Sequence, residues 1–460
     1  MTNKNANAYP KKRFFLEMFT RDISLEDCIL DLIDNSIDAL IRSRHIDILS
    51  DLLNPVSSDE SVSSNKQWQT LPTITVSFSD KEFRITDKCG GISPEAAQAE
   101  VFNFGHSNDF SGSLGQLGAY GIGLKRAIFK IGNHFDMEST TTTGGFKVSI
   151  DVKEWSKKDT KISDWTIPLE LTKGVKTLTR AGTSIKIRDL RPEVCMRIND
   201  GSVEGILHTK IAQTYALFLE RYVRIYLNNQ VVQPETMVLG QSEEIQVGKD
   251  QFDEKSPEGV VTVILIAGLA ARTPKNTWPL SSAGWYVLCN GRVVVAADKT
   301  DLTGWGAGLA NFHYKYRGFK GFAFFFSENP LLLPWTTTKR GLNRESPVYQ
   351  RARNRMVGLS KPVVTFLNDM YPSEVSEEIA EREIAEKAVA TNINRVAANP
   401  SKGFGVVRKK SAPKTTVQIA FQSEKDDVAR IKKCVREPSW SAAKVGEYTF
   451  EHYLRMECPE

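Results

Sequence analysis

An amphipathic segment near the start of the chain, SLEDCILDLIDNSIDALIRS, constrains the fold more than any other part of the sequence. Ser24 followed three residues later by Asp27 is typical of a helix N-terminus. The apolar residues that then recur with helical period are Leu30, Ile33, Ile37 and Leu40. Asp31, Asn35 and Asp38 stand at i, i+4 and i+7 and share another face. The pattern predicts a helix with one face in a core and a polar face open to solvent or to a ligand.

Asn35 favours the ligand over a merely solvated stripe. Asparagine is a poor helix former because its amide competes for backbone hydrogen bonds, so its place in mid-helix needs a reason. Magnesium coordination would supply one, since Mg²⁺ takes oxygen ligands from protein, phosphates and water.

Two glycine-bearing segments follow. In ITDKCGGI a strand delivers Asp87 into a turn, where its carboxylate can accept a hydrogen bond from an exocyclic amine such as that of adenine, although most such turns are only turns. In GQLGAYGIGLKRA the glycines Gly115, Gly118, Gly121 and Gly123 lead directly into a helix. Backbone N–H groups at a helix N-terminus bind anions, and Lys125 adds a positive charge. This phosphate loop has neither the Walker A order nor the dinucleotide spacing.

The three elements, in this order and followed by AGTSIKI, resemble the GHKL ATPases: type II topoisomerases, MutL, MORC proteins, heat-shock chaperones and sensor kinases. The family pattern of an acidic residue, Asn, a small residue, Asp and Ala is met by Asp31, Asn35, Ser36, Asp38 and Ala39. The resemblance implies an α+β chain whose first domain is a GHKL (Bergerat) α/β sandwich that binds ATP and Mg²⁺. It is closest to the MutL/MORC-like branch and indicates a prokaryotic source.

The resemblance also assigns roles to single residues. Asn35 would hold Mg²⁺, Asp87 would bind the adenine amine, Thr183 would support Asp87, and Gly91 would shape the adenine pocket. Gly118, Gly121, Gly123, Leu124 and Lys125 would wrap the phosphates as a lid. Asp38 is also assigned to the nucleotide site.

Two departures from the family pattern bear on turnover. The family usually has Glu where this chain has Asp31, the residue that would orient and deprotonate the attacking water, and aspartate is one methylene shorter. The usual Asp-x-Gly-x-Gly is replaced by DKCGG, which begins at Asp87. We therefore expect an ATPase with slow hydrolysis.

A chain of 460 residues is expected to form more than one domain. We predict a GHKL ATP-binding domain over 1–200, a transducer-like α/β domain over 201–370, a helical connector and basic linker over 371–414, and a strand-helix-helix module over 415–460. The second domain would open with a helix over 203–222 and contain the strand VRIYLN.

A late loop, TTTKRG, supports the transducer comparison. In the MutL, gyrase and MORC branch a lysine from the second domain reaches the γ-phosphate, and Lys339 is the candidate here, with Arg340 as an alternate and a solvated surface lysine as the plainer interpretation. No phosphoacceptor-histidine helix is seen upstream, which argues against a sensor kinase.

The C-terminal module is predicted as one alternating strand, Thr416–Phe421, and two helices separated by a Pro-Ser turn. It resembles a ribbon-helix-helix unit, which would bind DNA as a dimer. A plain capping or partner-binding module is the alternative. Between residues 391 and 416 there are six basic residues and no acidic one, which favours phosphate contacts.

Composition excludes several other classes. The longest apolar run, VVTVILIAGLAA, is shorter than a membrane span, and the basic N-terminus lacks an apolar signal segment. The six cysteines form no CxxC pair, so neither a disulfide framework nor a zinc module is indicated. We expect a cytoplasmic protein with no membrane partner.

The sequence thus favours an ATP-gated dimerising clamp that holds DNA in a MutL/MORC-like genome-maintenance or antiviral defence setting. It would act as an ATP-promoted homodimer with a nuclease or other effector as partner. The alternative is a nucleotide-sensing interaction protein with little turnover that recruits a partner through its C-terminal module. A chaperone is a third interpretation.

Overall fold

The computed structural model describes residues 11–55, 68–103, 115–118, 121–371, 380–407, 419 and 421–458. The chain divides into two compact units, residues 1–407 and 408–460. The finer division into four domains stays a prediction. The mixed α+β class expected from the sequence is confirmed.

The helices include those predicted after Ser24, at the end of the glycine-rich loop and, with one interruption, over 203–222. They are α1 (Lys12–Arg21), α2 (Leu25–Arg44), α3 (Ile48–Leu53), α4 (Pro94–Ala96), α5 (Gly123–Ile131), α6 (Val152–Lys157), α7 (Pro192–Asn199), α8 (Ser202–Thr214), α9 (Ala216–Arg221), α10 (Pro347–Asp369), α11 (Ala380–Glu386), α12 (Ile393–Ala397), α13 (Lys425–Cys434) and α14 (Ala442–Glu457). The single helix predicted over 203–222 is broken at Tyr215, whose hydroxyl donates to Leu30 O of α2 at 2.8 Å. Within the described ranges, no helix is both long and apolar enough to cross a bilayer.

The predicted N-terminus of α2 is confirmed. Ser24 is the N-cap, and its side chain accepts a hydrogen bond from Asp27 N. The first turn of α2 also carries Glu26 and Asp27, whose negative charges complement the helix dipole. α2 therefore begins at the residue that its sequence specifies.

Eight strands form the first sheet, in the order β5-β4-β3-β6-β2-β1-β7-β8. They are β1 (Thr73–Phe78), β2 (Glu82–Asp87), β3 (Gly132–Thr140), β4 (Gly144–Asp151), β5 (Glu170–Lys173), β6 (Gly182–Leu190), β7 (Arg224–Leu227) and β8 (Gln230–Val231). The predicted hairpin of β1 and β2 is confirmed and closes with Ser79 N donating to Glu82 O at 2.9 Å. β2 ends at Asp87, so the hairpin register fixes where that carboxylate leaves the sheet.

The expected place of the strand VRIYLN in the second domain is wrong. β7 pairs in parallel with β1, with Ile74 opposite Ile225, and β8 extends the same sheet. Both residues are fully buried. An apolar strand is recognisable locally, but which sheet it joins depends on contacts about 150 residues away in sequence, such as Asn228 Oδ1 accepting from Phe78 N.

The second sheet has the order β14-β13-β15-β12-β9-β16, and β11 also pairs with β12. The remaining strands of this unit are β9 (Val238–Gln241), β10 (Ile245–Gln246), β11 (Gly248–Ser256), β12 (Gly259–Ala270), β13 (Gly284–Cys289), β14 (Arg292–Asp298), β15 (Phe319–Phe326), β16 (Val389–Asn392) and β17 (Gly405–Val406), with β10 and β17 forming a separate pair. Every residue of β13 and β15 is buried. Such continuous burial explains why these strands read as apolar runs rather than alternating patterns.

The helical connector predicted after residue 370 is only partly helical. α11 is followed by β16, which pairs with β9, and then by α12. The segment is therefore an edge of the second sheet and belongs to the first compact unit. Its alanine-rich, charged composition favours helix locally, and pairing with β9 overrides that preference.

The second unit contains the two predicted helices, α13 and α14, with Pro438 and Ser439 between them. Of the predicted strand Thr416–Phe421, only residues 419 and 421 lie among the described residues. Val445 is the one buried hydrophobic side chain in the described part of this unit. The ribbon-helix-helix hypothesis stays a prediction.

The packing of Gly321 in β15 gives a stability test. A Cβ there would lie 2.6 Å from the fully buried indole of Trp285. Gly321→Ala should therefore lower the free energy of unfolding by about 1–3 kcal/mol, as overpacking does. Gly358→Ala is the matched control, since that exposed helical glycine has nothing within 4 Å and should gain about 0.5–1 kcal/mol. Equal denaturation midpoints for the two variants would contradict the packing described.

Candidate nucleotide-binding site

A cavity of about 330 Å³ lies among α2, β2, α5 and β6, a size within reach of a nucleotide-sized ligand. All predicted site residues except Gly91 line it: Asp31, Asn35, Asp38, Asp87, Gly118, Gly121, Gly123, Leu124, Lys125, Thr183 and Lys339. Apolar walls come from residues such as Leu32, Ile85 and Met137. The cavity thus combines an apolar lining with convergent charges.

Asp31 is buried against α5. Its Oδ2 accepts a hydrogen bond from Arg126 Nη2 at 2.7 Å. Burial raises the pKa of Asp31, and the nearby charges of Lys339 and Arg126 only partly oppose the shift. A raised pKa suits a general base, whereas the ion pair occupies one of the two oxygens. This arrangement is consistent with a base that works slowly.

Asn35 carries an unpartnered buried group. Its Nδ2 is buried and has no hydrogen-bond partner, although buried polar side-chain atoms are nearly always paired. The amide therefore fits a position that a ligand completes. Its carbonyl oxygen is the kind of donor that Mg²⁺ prefers, and Asp31 and Asp38 line the same cavity. The residues present fit a Mg²⁺ ion held together with phosphates.

Asp38 fixes the start of the glycine-rich loop. Its two oxygens accept from Leu117 N at 2.6 Å and from Gly118 N at 2.7 Å. A Cβ on residue 118 would lie 2.8 Å from Asp38 Oδ2, so glycine is needed for this approach. Burial raises the pKa of Asp38 to about 6 in spite of these two donors. The N–H of Gly118 is therefore directed at Asp38 rather than at a phosphate.

Asp87 sits at the end of β2 with three donors. Oδ2 accepts from the Ser36 hydroxyl at 2.9 Å, and Oδ1 accepts from Cys89 N at 2.9 Å and Thr183 N at 3.3 Å. Burial raises the pKa of Asp87 to about 6, and these hydrogen bonds and the charge of Lys88 oppose the rise. The carboxylate is held rigidly and lines the cavity, as an amine acceptor must.

Gly91 lies behind the cavity wall. Its backbone is left-handed, with φ +71°, and a Cβ would lie 2.2 Å from Thr140 O. The next residue, Ile92, lines the cavity, and its N–H donates to Ser139 Oγ, which is also hydrogen-bonded to Thr183 Oγ1 at 2.8 Å. Gly91 shapes the wall by letting the chain pass close to β3, without facing the cavity itself.

Lys125 is turned toward the segment after α4. Its Nζ donates to Val101 O at 2.9 Å and to Asn103 O. Burial lowers the pKa of Lys125 to about 8. In this conformation the lysine holds the two sides of the cavity together.

Gly123, where α5 begins, packs so close to Asp31 that a Cβ would lie 3.3 Å from the aspartate Cβ.

Lys339 reaches the cavity from the second half of the first unit. Its Nζ lies 2.7 Å from Asp34 Oδ2. Asp34 is fully buried and also accepts from Arg292 Nε at 3.0 Å and from the Tyr215 hydroxyl at 2.7 Å. Burial by itself would raise the pKa of Asp34, but the charges of Arg292 and Lys339 hold it below its ordinary value. Arg340, the alternate, instead pairs with Asp27.

Three residues of the site, Asp34, Arg126 and Arg292, are not among those predicted from the sequence. Asp34 stands three residues after Asp31 and four before Asp38, so helical periodicity places it on the same stripe. Arg126 directly follows Lys125 in the glycine-rich segment. Nothing in the local sequence of Arg292 marks it, because its partner Asp34 is 258 residues away.

Comparison with known proteins supports the nucleotide interpretation. Residues 23–182 match the family described as histidine kinase-, DNA gyrase B-, and HSP90-like ATPase. The match covers about a third of the chain and contains α2, β2 and α5. It supports the GHKL superfamily and ATP binding for this part of the chain. No curated protein matches the chain.

Replacing Asn35 tests the magnesium assignment. Asn35→Ala should weaken ATP binding in the presence of Mg²⁺ by roughly tenfold or more. The unfolding free energy should change by no more than about 0.5 kcal/mol, since the amide nitrogen has no hydrogen-bond partner to lose. Titration calorimetry with and without EDTA separates the two effects. Unchanged Mg-dependent affinity in a folded variant would remove Asn35 from the site.

The pKa of Asp87 predicts how nucleotide affinity depends on pH. The ionised carboxylate accepts an N–H from adenine more strongly than the neutral acid does. Nucleotide affinity should therefore fall as the pH drops through about 6, which is well above the ordinary pKa range of an aspartate. Asp87→Asn should bind weakly and lose this response. Asp38 has the same pKa, but its carboxylate accepts from backbone N–H groups of the loop rather than from the base. Asp38→Asn is therefore the comparison variant for the pH response. A full pH response in Asp87→Asn would contradict the assignment.

Proposed function

With a GHKL-type ATP-binding domain as the premise, we propose that this protein is a slow Mg-ATPase acting as an ATP-gated dimerising clamp on DNA. The observation that carries the proposal is the convergence of Asp31, Asn35, Asp87 and Lys339 on one cavity, although Lys339 lies more than 150 residues beyond the others. The setting we infer is MutL/MORC-like genome maintenance or defence in a prokaryote.

Asp87 would select the base. Its carboxylate is immobilised by Ser36 and by the N–H groups of Cys89 and Thr183, so it can accept from the exocyclic amine of adenine without reorganising. A guanine carbonyl at that place would face a carboxylate oxygen. Apolar neighbours such as Ile85 and Met137 would contact the ring faces.

Asp31 would serve hydrolysis. It accepts a proton from the attacking water as the new bond to the γ-phosphorus forms and the bond to the β–γ bridging oxygen breaks, which releases ADP and phosphate. Mg²⁺, when bound, neutralises phosphate charge. The ion pair with Arg126 and the short side chain of Asp31 both support slow turnover.

Two contacts at the cavity support the dimerising clamp. Asp38 holds the loop at Leu117 and Gly118, and Lys339 lines the cavity, where it would meet the terminal phosphate. A contact with that phosphate vanishes on hydrolysis, so it can gate association of two chains. The basic segment 391–416 supports DNA as the macromolecule that the dimer holds. A nuclease or other effector protein would supply any cleavage of that DNA.

A nucleotide-sensing interaction protein is the second candidate. The observation that favours it is the buried Asp31–Arg126 pair, which leaves the carboxylate less available to water. In that case the unit 408–460 would recruit a partner protein, and ATP would act as a signal rather than as fuel.

Phosphate release from ATP, with and without duplex DNA, tests the proposal. The wild-type rate should exceed that of Asn35→Ala and rise with DNA. Asp31→Ala should still bind ATP but lose at least about a hundredfold in release, the usual contribution of a general base. Release no faster than the Asn35→Ala background would shift the conclusion to the sensing protein.

The same preparation tests the clamp by sedimentation. With a saturating non-hydrolysable ATP analogue the protein should sediment as a dimer at micromolar concentration, and with ADP as a monomer. A monomer in both conditions would exclude the dimerising clamp, whatever the rate of hydrolysis.

A further inference from the structure

Two residues that are themselves paired hold the two ends of Lys339. Its Nζ donates to Asp34 Oδ2 at 2.7 Å, and its carbonyl oxygen accepts from Arg292 Nη1 at 2.9 Å. Arg292 Nε in turn donates to Asp34 Oδ1 at 3.0 Å. The three residues therefore close a ring that joins α2, β14 and the loop after Trp335. We call this ring the lysine clamp.

The backbone of Lys339 needs such a restraint. Its φ is +55°, a left-handed conformation that costs a non-glycine residue about 1 kcal/mol or more. Residues persist in such conformations where the surrounding structure fixes them, and they gather at functional sites. Lys339 N also donates to Thr336 O at 2.8 Å, which makes the turn tight. The bond to Asp34 thereby fixes the position of Nζ on a residue that lines the cavity.

Only one member of the clamp faces the cavity. Lys339 is among the residues that line it, whereas Asp34 and Arg292 are not, and their exposed fractions are 0% and 4%. The ring holds one carboxylate and two cations, and the buried Asp31 and Asp38 of the same helix offset the second positive charge. Lys339 lines the cavity and is therefore the member of the lysine clamp that can contact an anion there.

We propose that Asp34 and Arg292 are positioning residues that hold Lys339 so that the cavity distinguishes a nucleoside triphosphate from a diphosphate. This inference rests on the proposed ATP function. Neither residue touches the nucleotide. Each acts only by fixing the direction of the Lys339 side chain. Because Arg292 belongs to β14, the second sheet takes part in recognising the terminal phosphate.

Arg292→Lys is the test variant. A lysine keeps the charge and one bond to Asp34, but its single nitrogen lacks the planar fork with which Arg292 reaches both Asp34 and the carbonyl of Lys339. The measured quantity is the ratio of affinities for a non-hydrolysable ATP analogue and for ADP, by titration calorimetry on the full chain with Mg²⁺. The ratio should fall by roughly tenfold, with ADP affinity changed less than about twofold.

Tyr222→Phe is the matched control. The Tyr222 hydroxyl also donates to a carboxylate, that of Asp51, but neither residue belongs to the lysine clamp or lines the cavity. Loss of this bond should lower thermal stability and leave the affinity ratio unchanged. Asp34→Glu, which keeps the charge and displaces the carboxylate by one methylene, is a second perturbation that should reduce the ratio even if Arg292→Lys does not fold.

Lys339→Ala separates the two levels of inference. If the wild type prefers the ATP analogue and Lys339→Ala removes that preference, the phosphate contact holds. Folded Arg292→Lys and Asp34→Glu proteins with a wild-type ratio would then overturn only the lysine clamp, that is, the positioning role of Arg292 and Asp34. A wild-type protein without nucleotide affinity, or a Lys339→Ala variant with an unchanged ratio, would instead overturn the proposed function.

Discussion

Buried charge on one helix is the constraint on which the rest of this structure depends. α2 carries Asp31, Asp34 and Asp38 on one stripe, and all three are buried. Carboxylates cannot leave water without compensation, so each must be met by a cation or by N–H donors. Arg126 meets Asp31, the loop at Leu117 and Gly118 meets Asp38, and Arg292 with Lys339 meets Asp34.

These pairings explain why the site and the fold cannot be separated. The compensating groups come from α5, from the glycine-rich loop and from the second half of the first unit, so pairing the acids of α2 brings these three parts of the chain to the cavity. Breaking one buried pair leaves its partner charged and unpaired, which is destabilising. β2 and β6 supply the remaining walls.

The same arrangement bears on turnover. A residue proposed as the base is bound to Arg126, and a residue proposed to sense phosphate is bound to Asp34. In each case the polar group is oriented before any ligand arrives, which favours precise binding. Orientation by ion pairing also restrains the group, and for Asp31 this restraint is the physical reason for the slow turnover that we propose. The same ion pairs thus both orient these side chains for binding and restrain their movement.

The sequence by itself determined what depends on near neighbours. Helical periodicity and the Ser24 cap specified α2, alternation specified the β1–β2 hairpin, and the stripe of Asp31, Asn35 and Asp38 marked the face of α2 that lines the cavity. Tertiary structure alone decided that β7 joins the first sheet, that β16 extends the second, and that Arg292 and Lys339 share Asp34, from which they are 258 and 305 residues distant. Local preference is set by a residue and its neighbours within a few positions, whereas sheet membership and charge pairing are set by which distant surfaces the packed chain brings into contact.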